Sequence, residues 1–173
     1  MGETWKPQTL LIMVLVTLSG CPSSEVQTTA SAANAQDDAA QAEREWERAQ
    51  QAALARDRLA RNESAAITFL IENSRSLKKA YEHFPPPAGA VKRWNGTDGY
   101  GAVTIGASTS DPSRRFWLTT GPLFPGTTGN RYFFVNHEGR VHASQDPITV
   151  LDLAKCSVPP GLTPVESEEL AAH

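Results

Sequence analysis

The sequence predicts an α+β domain in which one long helix lies across an antiparallel sheet of roughly four strands. Three observations predict it. Residues 37–84 contain neither Gly nor Pro and are rich in Ala, Glu, Arg, Gln and Leu, the composition of a helix. Residues 99–144 hold the densest aromatic and β-branched runs and alternate apolar with polar side chains, the pattern of strands. The whole chain has 173 residues, so what remains beyond its N-terminal apolar run is enough for one modest core.

The first element is the N-terminus. Lys6 precedes the apolar run Leu10, Leu11, Ile12, Met13, Val14, Leu15 and Val16, which is short for a membrane span and has the length of a signal-peptide core. Residues 1–20 are therefore expected to be a signal peptide. The run ends in Leu18-Ser19-Gly20-Cys21, which resembles the lipobox of bacterial lipoproteins. That resemblance implies that Cys21 is acylated and heads the mature chain, and that the protein meets the membrane through this anchor. Two or three acyl chains hold where one is marginal. Pro22 stands where lipoproteins retained at the inner membrane carry Asp, so the resemblance implies the outer membrane. The alternative is an uncleaved anchor with an incidental cysteine, and under either reading the rest of the chain lies outside the cytoplasm. Residues 21–36, including SSEVQTTASAANAQ, are small and polar with a single Val, and are expected to form a flexible tether.

Residues 37–84 follow as the long helix. Asp37 and Asp38 suit its N-terminus, Lys78, Lys79 and His83 suit its last turns, and Pro85-Pro86-Pro87 stops it. Its two halves differ. The first has Trp46 as its only large aromatic residue, with Ala49 and Ala53 as a thin stripe. There Glu45, Arg48, Asp57 and Arg61 are spaced for pairing along a solvated face. The second places Ala66, Ile67, Leu70, Leu77, Tyr81 and Phe84 at helical spacing, a stripe able to pack on a sheet.

Residues 85–98 read as a linker, and residues 99–165 as the sheet with a C-terminal segment. Val103 and Ile105, Phe116 and Leu118, residues 132–135, and Val141 with Ala143 mark four strands. Asn136-His137-Glu138-Gly139 has the chemistry of a type I turn. With Gly139 in the left-handed bulge position, Asn136 opposes Arg140, Val135 opposes Val141 and Phe133 opposes Ala143, which aligns the apolar faces. Residues 166–173 are expected to be a disordered tail.

Arg61-Asn62-Glu63-Ser64-Ala65-Ala66 in a helix, a Pro-rich break, and Gly99-Tyr100 opening a strand form one part of a recognisable pattern. Pro125-Gly126-Thr127-Thr128-Gly129-Asn130-Arg131-Tyr132-Phe133-Phe134-Val135 and Gly139-Arg140-Val141 form the other. Together they resemble the soluble heads of bacterial type IV pilin-like proteins. The resemblance covers residues 60–144 and implies a pilin-like fold with an assembly or scaffolding role. It extends to the head alone: a pilin polymerises through an apolar segment that it keeps, whereas the apolar segment here precedes Cys21.

Candidate chemistry is sparse. Sixteen Lys and Arg against nineteen Asp and Glu give a net charge of −3, which argues against a nucleic-acid binder. No residue set suggests a cofactor. Cys156, in Val150-Leu151-Asp152-Leu153-Ala154-Lys155-Cys156, reads as a buried thiol in a short packed turn, with an intermolecular bridge as the alternative. His137 and His142 flank one hairpin without a third ligand at metal-site spacing, and read as surface histidines. Asn62 and Asn95 begin N-x-S/T triplets, which carry little meaning in a bacterial lipoprotein. In the bulged register Trp117, Tyr132, Phe134, Arg140 and His142 share the sheet face away from the helix. Two readings follow. That face meets an envelope protein partner, or residues 147–164 fold back and bury it as a second core. The expected role is thus a non-catalytic head on a lipid anchor, the alternative being a periplasmic enzyme or small-ligand binder with an unrecognised site.

Overall fold

The structure is a computed structural model that describes the backbone of residues 25–166 and the side chains of residues 37–166. The expected signal peptide, the acylation site Cys21 and all of the expected tail except Glu166 lie outside the described residues. The fold is α+β: helix α1 (Glu25–His83) packs against a six-stranded antiparallel sheet. The chain forms two compact units, Met1–Glu47 and Arg48–His173, and the second contains the whole sheet.

Helix α1 begins at Glu25, so the residues expected as a tether are helical from that point. Ala30, Ala32, Ala33 and Ala35 have the highest helix propensity, and nothing between Pro22 and Pro85 breaks a helix. Extending a formed helix by such residues needs no new nucleus. The expected division into halves is observed. Residues 41–58 are exposed, including Trp46 and Leu54, whereas Ala66, Ile67, Leu70 and Leu77 are buried. Phe84 does not join the stripe. The residue before a proline is pushed out of the helical region, and Phe84 lies just past the helix end at 83 % exposure.

The sheet is a meander of β1 (Val91–Trp94), β2 (Val103–Ala107), β3 (Phe116–Thr120), β4 (Tyr132–Asn136), β5 (Val141–Ser144) and β6 (Thr163–Pro164), each strand paired with the next. Four were expected. Strand β1 lies in the expected linker: it is an edge strand whose four side chains are all exposed, so it shows none of the alternation that betrays a half-buried strand. Strand β6 is two residues long and ends in Pro164, which an edge tolerates because an edge position needs no ladder donor.

The hairpin register follows the bulged reading, with Val135 opposite Val141 and Phe133 opposite Ala143. Gly139 has φ 81°, the left-handed conformation that favours glycine, and its N–H donates to Asn136 O at 2.9 Å. This register aims Ile105, Leu118, Val135 and Val141 at α1 in one continuous row. They close with Ala66, Ile67, Leu70, Leu77, Val103, Phe116 and Phe133 into the main core, with Tyr81 edge-on to Phe116 at 5.7 Å between ring centroids.

Candidate functional site

The face away from the helix is the first place to look for a partner surface. By the same alternation it holds Trp117, Phe134 and His142, with Phe134 opposite both Thr119 and His142. It is not exposed. Phe134 is 0 % exposed, Trp117 6 % and His142 9 %, and Tyr132 is half-buried. The C-terminal segment from Pro147 to β6 crosses this face as a strap, packing Ile148, Val150, Val158, Leu162 and Cys156 onto Trp117 and Phe134 as a second core. Of the expected partner surface of Trp117, Tyr132, Phe134 and His142, all but the half-buried Tyr132 are thereby corrected to an interior. The physical reason is that one helix covers one sheet face only, and a strap with apolar residues is available to bury the other.

Hydrogen bonds to its backbone carbonyls hold the strap. Thr109 N–H donates to Leu153 O at 3.1 Å, Ser110 Oγ donates to Ala154 O at 2.9 Å, and Ser108 Oγ donates to the same carbonyl. The Asn136 side-chain amide donates to Cys156 O at 3.2 Å while its Oδ1 accepts from Glu138 N at 3.1 Å, so one residue caps the hairpin and ties the strap down. Gly106 is required beneath it, because a Cβ there would fall inside the Trp117 indole.

Cys156 sits at the centre of the strap, in a turn closed by its own N–H donating to Asp152 O at 2.9 Å. It is fully buried with φ 51°, and burial pushes its thiol up to about 11, with Asp152 adding to the shift. Such a thiol is neutral and inert at physiological pH. The reading of His142 as a surface residue is also corrected: its ring stacks edge-on to Phe134 at 6.5 Å, and its buried Nδ1 has no hydrogen-bond partner. Burial and the neighbouring Arg140 hold its pKa below the usual histidine value.

On the helix side, Glu63 and Asn62 clamp α1 to the loop that precedes β4. Glu63 Oε1 accepts from Asn130 N at 2.8 Å and Oε2 from Arg131 Nε at 2.7 Å, while the Asn62 amide donates to Thr128 O at 2.8 Å. Tyr100 completes the clamp, its hydroxyl donating to Arg131 O at 2.9 Å. Burial, with Glu63 nearby, raises the Tyr100 pKa well above the phenol value. A carboxylate on a buried stripe is the signal for such a partner, since Glu63 lies one turn before Ile67 and two before Leu70.

With both sheet faces closed, large apolar side chains remain displayed on the outside of the strap, where Leu151 and Leu153 are exposed, and at the margins of the sheet. Leu123 and Phe124 are 55 % and 66 % exposed in the clamped loop, and Trp94 is 38 % exposed at the end of edge strand β1. Leu123 N–H donates to Gly99 O at 3.1 Å, and Trp94 pairs with Val103 a few residues further along the chain, so these residues share one end of the sheet. At the opposite end, Arg115 before β3, His137 and Glu138 in the hairpin, and Lys155 and Ser157 in the strap line a groove of about 320 Å³. Among the described residues no three His, Cys, Asp or Glu side chains gather to hold a metal ion, and no helix is long and apolar enough to cross a membrane.

Comparison with protein families, with curated proteins and with solved structures finds no match to this chain.

Proposed function

We infer that the protein is a lipid-anchored component of a bacterial cell envelope, attached at Cys21, more specifically in the outer membrane, and presenting a non-catalytic, pilin-like α+β head in an assembly or scaffolding role. The observation that carries this reading is the apolar run from Leu10 to Val16 followed, after Thr17, by Leu18-Ser19-Gly20-Cys21. The architecture is in keeping with it. A helix clamped to a sheet whose two faces are both filled from within its own chain makes a stable unit to display. Of the exposed apolar residues, Leu123, Phe124 and Trp94 gather at one end of the sheet and combine the large aromatic and aliphatic side chains found at interface centres, so this end is the proposed contact for an envelope protein partner.

Mild crosslinking of the membrane-bound protein in its own cells, followed by purification and identification of the adducts, tests the role. The expected adduct is an envelope protein whose recovery falls in the double variant Leu123→Ser, Phe124→Ser at unchanged melting temperature. Adducts that persist undiminished in that variant would contradict the assignment of this end of the head as the contact surface.

A further inference from the structure

We propose that the groove at the hairpin end of the sheet binds a small oxyanion, a phosphate or carboxylate group, through Arg115, Lys155 and Ser157. This inference does not depend on the lipid anchor, and it concerns a part of the head distant from Leu123 and Phe124. Three segments far apart in the sequence meet here: the residue entering β3, the β4–β5 turn, and the strap after Ala154. All three line the same space of about 320 Å³, with Arg115, Lys155 and Ser157 as its donors. Arg115 is half-buried, yet among the described residues its guanidinium has no carboxylate or carbonyl partner. A guanidinium partly removed from water offers five N–H groups in a planar fork that matches the two oxygens of a carboxylate or phosphate. Lys155 supplies a second positive charge and Ser157 a hydroxyl donor. His137 adds to the same wall.

The charges around the groove favour an anion. Arg115 and Lys155 line it with positive charge, and Glu138 in the turn is the one carboxylate on its lining. Nearby charges also act on His137. Burial is the main cause holding its pKa low, and Arg115 and Lys78 add to that, while Glu138 opposes them. An oxyanion seated between Arg115 and Lys155 would relieve this repulsion and give Arg115 the partner it lacks. Binding and protonation of His137 are then linked: the anion raises the His137 pKa.

The experiment is an NMR titration of the full chain in mild detergent at constant ionic strength, with inorganic phosphate, succinate and, as control, chloride. The expected result is saturable shifts at the amides of Arg115, Glu138 and Ser157 with phosphate or succinate and none with chloride, together with an upward move of the His137 imidazole pKa. Lys155 is exposed, so Lys155→Gln should fold normally and weaken binding about tenfold or more, as expected for loss of one charge-assisted contact. Arg115→Lys, which keeps the charge and removes the fork, should weaken it as well. If phosphate is preferred, vesicles containing a phosphate-headed lipid then separate a membrane headgroup from a soluble ligand: shifts with vesicles assign the headgroup, and shifts with free phosphate alone assign a soluble one. Equal shifts with chloride, or phosphate shifts unaltered in both variants, would overturn the site.

Discussion

Glu63 on α1 grips Arg131 across the core, Oε2 to Nε at 2.7 Å, and with its other oxygen takes the Asn130 amide at 2.8 Å. A single carboxylate thus fixes where the helix stops sliding along the sheet and holds the loop before β4 in place. The pair is largely enclosed, since the Glu63 side chain is 11 % exposed. Removing it leaves the Asn130 amide without its acceptor and takes the carboxylate from Arg131. Glu63→Ala is expected to cost about 3 kcal/mol. Glu63→Gln keeps an acceptor for Asn130 and should cost less. Chemical denaturation measures both, and equal stability of Glu63→Ala and wild type would show the clamp to be dispensable.

The helix stripe gives a second expectation. Leu70 and Leu77 are buried against the sheet, so cutting either to Ala should cost roughly 2 to 5 kcal/mol. Arg48 and Arg58 lie on the exposed half, and their replacement by Ala should stay within about 0.5 kcal/mol. Thermal melts distinguish the two classes, and similar losses at all four positions would contradict the division of α1.

The strap gives a third. Trp117 and Phe134 sit beneath it, and Trp117→Ala or Phe134→Ala should each destabilise by about 3 kcal/mol or more. Unchanged melting temperatures in both variants would mean that this face is open and available to a partner.

Acid sensitivity should follow from the same enclosure. The His142 pKa is lowered in the folded state, chiefly by burial, so the unfolded chain takes up a proton at higher pH than the folded one does. Stability from this group is fully present above the unfolded value of about 6.5 and is lost as pH falls below it toward the folded value. His137 is shifted in the same direction, also chiefly by burial. Melting temperature is expected to fall on acidification below about pH 6.5, and the double variant His137→Gln, His142→Gln should flatten that fall. A steeper fall in the variant would reverse the sign of the argument.

Much of the head is legible in the sequence because its signals are local. The unbroken run to His83, the proline stop and the alternating strands each read directly, and Gly139 fixes the hairpin register through a conformation that only glycine takes easily. Strand β1 is not legible. Val91, Lys92, Arg93 and Trp94 are all exposed at an edge, so burial imposes no period on them. Strand β6 escapes for a related reason, since two residues with a proline carry no pattern at all. The choice between an open and a covered outer face turns on whether a distant segment finds Trp117 and Phe134, which composition permits and does not dictate. The groove is hidden in the same way: Arg115, His137 and Lys155 have no common spacing, and only the meander and the strap bring them together.

The lipid anchor is the claim on which compartment and role both rest, and metabolic labelling with an alkyne-tagged palmitate tests it most directly. Wild-type protein should carry the label and fractionate with membranes, and Cys21→Ser should carry none. Cys156 is buried and its thiol neutral, so Cys156→Ser should label like wild type wherever it folds. Equal labelling of wild type and Cys21→Ser would contradict the anchor.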